Sequence, residues 1–327
     1  MAGLGNKSIT KNKITNLIDQ GKLEEALREL NNVEEKEKTL LMFKLLRISI
    51  LTKTGRYHIA LREALELYFT YIKNMHLDII LSLADIYWRI GKIREGSEII
   101  KEGEGLIPET IPTESLHLLK KQFYLLNLKS IYASSQGKTL LAIRCLKQNV
   151  ILSKKINDRK VTADLFDKLG IFYLDIKQLN LALRFFRSSL FIYREINSRH
   201  NISWLLYRMG WAYLIDETNL DLALCYFDLS QKISTIIDDK YSLASSLFWS
   251  ADILKTRNDI VQALKLFQRS LTLYEQIQNM KGMGLCLEKI SQIYETKNNS
   301  EMANQYFQKS LAAWRIAYQL YGIHIRL

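Results

Sequence analysis

Residues 165–196 read LFDKLGIFYLDIKQLNLALRFFRSSLFIYREI. Within this stretch Leu169-Gly170 is followed by Tyr173, and then by Ala182, Phe186 and Ser189. Apolar residues recur at i, i+3, i+4 and i+7 in both halves, a helical period rather than strand alternation. The stretch predicts two antiparallel helices that cross closely at small residues, with aromatic rings filling the gaps beside each crossing. The same set returns as Met209-Gly210, Tyr213, Ala223, Phe227 and Ser230, with one extra residue in the turn. It returns again as Ala251, Leu254, Ala263, Phe267 and Ser270, and as Ser291, Tyr294, Ala303, Phe307 and Ser310.

Working outward, one small residue marks each unit: Ala26, Ala60, Gly96, Ala142, Ala182, Ala223, Ala263 and Ala303. Their spacings are 34, 36 and 46, then 40, 41, 40 and 40. A nearly fixed period of this size means one supersecondary unit copied and stacked, not a globular domain around a catalytic cleft. Gly21, Gly55, Gly91 and Gly137 each lie five residues before a marker, where a left-handed residue would end the first helix. Asn258 and Asn298 hold that place in the last two units, and Asn is the next most tolerant residue there.

These residues resemble the tetratricopeptide repeat (TPR) family, whose Leu-Gly-x-x-Tyr and Ala-x-x-x-Phe-x-x-Ala signature is matched with Ser in the last position. The resemblance runs from about Thr10 to about Tyr321. It implies an all-α fold, a right-handed superhelical solenoid of about eight helix-turn-helix units. Two features depart from the family pattern: the proline that usually ends the second helix is missing, and the late period is 40 rather than 34. Each second helix reads as running on through Ile156-Asn157-Asp158, Ile196-Asn197-Ser198, Ile237-Asp238-Asp239 and Ile277-Gln278-Asn279. That tail resembles the longer-period repeats of kinesin light chains and of Leu-Gly-Asn-repeat regulators. The expected organisation is a disordered tail at 1–9, three divergent repeats at 10–105, a Pro-containing loop at 106–113, five repeats at 114–321 and a C-terminal tail at 322–327. The alternative reading of the loop is a hinge between two domains.

Composition agrees with long helices. The 327 residues hold two prolines, Pro108 and Pro112, both in that connection. No window approaches the roughly 18 to 20 apolar residues of a membrane span. The N-terminal residues Met1–Lys13 lack the apolar core of a signal peptide. Cys145, Cys225 and Cys286 are odd in number and scattered, so they imply neither a disulfide framework nor a zinc knuckle. The expected location is cytoplasmic. The five histidines are far apart, and neither a phosphate-binding glycine loop nor a nucleophile elbow occurs. No metal, cofactor or catalytic activity is implied.

The formal net charge is +12. The plain reading is that basic residues solubilise the outer helices and complement helix C-termini. The sharper reading is an acidic partner, but the charges interleave with Asp and Glu and no nucleic-acid-reading module is present.

In TPR arrays the first helices line the inner groove. Carried over residue by residue, the resemblance places Asp164, Asp167, Lys168 and Asp175 there from the fifth repeat. The sixth supplies Trp204, Tyr207, Arg208, Trp211 and Leu214, and the seventh Ser245, Phe248, Trp249, Asp252 and Lys255. Aromatic and Arg side chains are what binding hot spots are usually made of. The competing reading is that these aromatics pack between repeats. A chaperone-type carboxylate clamp needs Lys and Asn together in one repeat, whereas Lys11 is paired with Thr15, and Leu45 with Ser49, at those positions. The C-terminal run from Leu311 to Ile325 is too apolar for a solvent-facing cap, so the last helix folds back on the array or forms a self-association surface. The functional expectation is a non-catalytic scaffold or adaptor for an unidentified protein or peptide, with a homodimer through the C-terminal helix as a second possibility. A TPR regulatory sensor responding to a peptide or small ligand is the alternative.

Overall fold

The structure is a computed structural model and describes residues 2–33, 40–74, 76–108, 115–215 and 219–321. Every regular element among them is an α-helix. Along the chain these are α1 (Ala2–Asp19), α2 (Leu23–Asn31), α3 (Leu41–Lys53), α4 (Tyr57–Thr70), α5 (Leu77–Arg89), α6 (Ile93–Gly105), α7 (Leu116–Ser135) and α8 (Thr139–Lys155). Then follow α9 (Arg159–Asp175), α10 (Leu179–Glu195), α11 (Arg199–Ile215), α12 (Leu220–Ile236), α13 (Lys240–Thr256), α14 (Ile260–Gln276), α15 (Met280–Thr296) and α16 (Ser300–Tyr321). They pair in order as helix hairpins and stack within two compact units, Met1–Asp158 and Arg159–Leu327.

The division falls at Asp158 rather than in the Pro-containing connection. Residues 109–114, which include Pro112 and most of that connection, lie outside the described residues, as do 322–327. Helix α1 begins at Ala2, inside the segment read as a disordered tail.

Unit 2 explains its own period. Helices α9 to α15 each have 17 residues. Two such helices and two three-residue turns make 40 residues, and the one longer connection, between α11 and α12, accounts for the spacing of 41. Each described three-residue turn has a left-handed residue at its centre: Lys177, Asn197, Asp238, Asn258, Gln278 and Asn298, with φ between 53° and 64°. The glycines at 21, 55, 91 and 137 do the same in unit 1, with φ of 71° to 77°. The turn at Asn258 shows the mechanism. Its N–H donates to the Lys255 carbonyl at 3.0 Å, and the Asp259 N–H donates to the Leu254 carbonyl at 2.9 Å. This Schellman pairing satisfies carbonyls at the helix end. Asp259 then caps the next helix by accepting from the Gln262 N–H at 3.2 Å. Asp239 and Asn279 act alike on Ser242 and Gly282. The Ile-x-x triplets are therefore turns and not helix extensions, because their central residue is left-handed and their third residue starts a new helix.

The spacing markers sit where helices cross. Ala182, Ala223 and Ala263 are wholly buried, as are the Phe186, Phe227 and Phe267 rings one turn later. A Cβ on Gly170 would stand 2.3 Å from the Phe186 ring, and one on Gly210 would stand 2.8 Å from Phe227. The Ser that replaces the family's last Ala has a structural role. Ser189, Ser230, Ser270 and Ser310 donate to the carbonyls of Ala163, Ser203, Ala244 and Gly284 at 2.8 to 3.0 Å, clasping the second helix to the first. Ser246 and Cys286 of the following first helices donate in turn to Ser230 and Ser270. At the matching place in unit 1, Asn149 is wholly buried with neither amide atom bonded.

The last hairpin differs at its outer face. Ala313 and Ala317 of α16 are buried and Trp314 packs over Gly284, so the helix does fold onto the array. Phe307, however, is 46% exposed where its three counterparts are fully buried.

Candidate binding groove

The first helices of unit 2 carry a stripe of half-buried aromatic and charged side chains, linked from one repeat to the next. Arg208 Nε lies 3.5 Å from Asp167 Oδ1, while its guanidinium sits 5.1 Å from the Trp204 ring centre. Both ion-pair atoms are buried without a hydrogen bond, so the pair is held by charge alone. Burial pushes the Asp167 carboxyl up to about 6, against the opposing pull of Arg208. Trp204 stacks on Tyr207 at 4.8 Å, and Trp249 Nε1 donates to the Tyr207 hydroxyl at 3.1 Å. Further along, Lys289 donates to Asp252 at 2.7 Å and Lys255 to Gln292 at 2.7 Å. Burial, followed by repulsion from Lys289, lowers the Lys255 pKa.

The structure thus brings Asp167, Arg208, Trp204, Tyr207 and Trp249 together. Asp164 accepts a bond from the Tyr193 hydroxyl instead, and Asp175 stands exposed at the end of α9. Phe248 is not a groove residue. It is 3% exposed and packs edge-on against Phe267, because it occupies the crossing between α13 and α14. Trp211 is partly exposed and makes no ring or hydrogen-bond contact among the described residues. Sequence reasoning passed over Lys289 and Gln292, which stand 40 residues after Trp249 and Asp252 in the same repeat register. Tyr241, whose ring lies 5.6 Å from Trp204, belongs to no repeat signature and carried no signal.

Unit 1 presents its first helices differently. Helices α1, α3, α5 and α7 together border a cavity of about 770 Å³. Leu41, Met42 and Leu45 of α3 form its apolar wall, and Ser49 continues the same face. The Asp78 and Asp85 carboxylates on α5 accept bonds from Lys121 at 2.6 Å and from Arg89 at 3.0 Å. Lys11 and Lys53 also line the cavity and have no ion-pair partner among the described residues. Burial, with Asp85 adding to it, pushes the Tyr124 phenol at its edge up to about 12.

Among the described residues no group of three or more His, Cys, Asp or Glu could hold a metal ion, and no helix is long and apolar enough to cross a membrane. Cys145 and Cys286 are buried, and burial pushes the Cys286 thiol up to about 12. Cys225 is exposed.

No protein-family profile and no curated protein matches the sequence. Solved structures do match. Aspartyl phosphate phosphatase F from Bacillus subtilis is 16% identical, over 95% of this chain and 73% of that one, with a TM-score of 0.59. A Rap protein complexed with Competence and Sporulation Factor is 16% identical, over 85% of this chain and 78% of that one, at 0.53. The nearly identical TPR-like repeats of a kinesin light chain from Podospora anserina are 16% identical, over 62% of this chain and 96% of theirs, at 0.51. Similarity at this level shows the fold. The chain is built of tetratricopeptide-type helical repeats, an α-solenoid architecture that includes the kinesin-light-chain kind.

Proposed function

We propose that the chain is a non-catalytic interaction module of the cytoplasm that binds an extended or helical segment of a partner along the first-helix face of unit 2. One observation carries this reading: Trp204, Tyr207, Arg208 and Trp249 form a half-buried cluster, and Trp211 stands beside it with its indole uncommitted. Rigid aromatic and Arg groups of this kind supply most of the energy of typical interfaces. The buried Asp167–Arg208 pair holds the Arg208 guanidinium beside the Trp204 ring and so fixes the cluster from beneath. Trp204 is held by ring and cation–π contacts and Trp249 by a hydrogen bond inside the unit, so Trp211→Ala is the cleanest variant. A partner captured from the source cell should bind this variant at least tenfold more weakly by calorimetry, with helicity unchanged. Undiminished affinity would defeat the assignment.

A regulatory sensor is the second reading, supported by the similarity to a Rap protein solved with Competence and Sporulation Factor. The name of the phosphatase relative points the other way on catalysis. Release of phosphate from an aspartyl-phosphorylated substrate by the purified chain would replace the non-catalytic reading with an enzymatic one.

A further inference from the structure

The cavity of unit 1 is separate from the stripe just described, and nothing in the reading of unit 2 accounts for it. It lies against four first helices, α1, α3, α5 and α7. With neighbouring helices about 9 Å apart, such a groove extends roughly 25–30 Å. An extended chain rises about 3.3 Å per residue, so roughly eight residues would cross it. That length suits a linear segment better than a compact metabolite.

Its chemistry is asymmetric. The two carboxylates, Asp78 and Asp85, are already neutralised by Lys121 and Arg89. The cations Lys11 and Lys53 are not. The uncompensated charge of the cavity is therefore positive, beside a wall of Leu41, Met42 and Leu45 that unit 1 leaves partly exposed. A ligand that covers the wall and meets the free cations must be apolar and acidic together. A basic segment would face two unpaired lysines and find both carboxylates occupied.

We infer that the unit 1 cavity is a binding site for an extended peptide segment of mixed apolar and acidic character. The inference shares with the proposed function the idea that first helices bind linear segments, but it concerns different residues and can stand or fall separately.

The test uses the full chain and two pools of nine-residue peptides. One is randomised over Leu, Ile, Phe, Ser, Asp and Glu, and the other replaces Asp and Glu with Lys and Arg. Peptides retained on the immobilised protein are quantified by mass spectrometry. The acidic pool should be retained at least tenfold over the basic one. Lys11→Glu with Lys53→Glu, both at exposed positions, should reverse that preference. Ser49→Trp, which fills the groove, should cut retention about tenfold with the circular dichroism spectrum unchanged. Trp211→Ala should leave retention as it is, and if that variant also keeps its partner, only the unit 2 assignment falls. Equal retention of the pools, retention of neither, or insensitivity to the lysine reversal would overturn the inference. Saturable binding of dodecanoate in place of peptide would also overturn it, by assigning the cavity to a small amphiphile.

Discussion

The first helices of unit 1 and unit 2 face the same question, and they answer it differently. In unit 2 the 17-residue helices and three-residue turns repeat with so little variation that side chains 37 to 42 residues apart meet: Lys255 with Gln292, Asp252 with Lys289, Trp249 with Tyr207. These links run along the face and leave its side chains half-exposed. In unit 1 the helices run from 9 residues in α2 to 20 in α7. Lys121 of α7 still reaches Asp78 of α5, but a cavity lies along the same face. Repeats of uniform length here carry a stripe of linked side chains, and repeats of uneven length border an open groove.

The largest expected effect tests how closely the helices approach. Gly170→Ala would put a methyl 2.3 Å from the Phe186 ring in unit 2. It should cost about 3 kcal/mol in urea denaturation, the upper range for overpacking. Gly105→Ala in unit 1, helical and with nothing within 4 Å, should gain about 0.5 kcal/mol. Equal effects would mean that the close approach at Gly170 does not set the cost.

Next is the pH response of the unit 2 stripe. The folded Asp167 carboxyl titrates at about 6, above its ordinary value of 3.8, so the folded state holds the extra proton between those limits. Stability should therefore fall as pH rises from 4 to 6. Asp167→Asn removes this slope, and the variant should gain about 2 kcal/mol on the native protein between pH 4 and 7, followed by thermal melting. A difference that stays flat with pH would mean that the carboxyl is not desolvated.

The third test concerns the serine clasp. Ser270→Ala should cost about 1 kcal/mol, the usual net value of a buried hydrogen bond. Asn149→Ser should instead gain about 1 kcal/mol, because it removes a buried amide without a partner. Opposite signs at equivalent repeat positions are the diagnostic result.

The smallest effects lie in the turns. Lys177→Gly relieves a left-handed side chain in unit 2 and should add about 0.5–1 kcal/mol. Gly137→Ala at the equivalent turn of unit 1 should remove about 1 kcal/mol, measured by the same melts.

The turns also show how far the sequence could be read. Gly21, Gly55, Gly91, Gly137, Asn258 and Asn298 were legible as left-handed because their residue types announce it. Lys177 and Gln278 were not, since neither prefers that conformation, and the helices on either side impose it. At Ile196–Ser198 and its counterparts the reading as a helix tail follows the apolar residue and passes over the Asn or Asp at the centre and the cap residue after it, which mark three of these four turns. Phe248 was placed in the groove by counting, but a one-position difference around a helix axis turns a groove residue into a crossing residue. The same counting puts Trp204 and Trp249 in the groove, while the Trp204 stack on Tyr207 and the Trp249 hydrogen bond to it have no sequence signature.

By itself the sequence determined that the protein is a run of helix hairpins with small residues at the crossings, because periodicity and steric size act locally and repeat. Only the tertiary structure decided where the chain divides into units, which side chains link one repeat to the next, and that unit 1 encloses a cavity. Those outcomes depend on the relative offset of helices distant in sequence. An offset of one residue displaces a helix by about 1.5 Å and rotates its face by about 100°, which is enough to turn a hydrogen bond into a void.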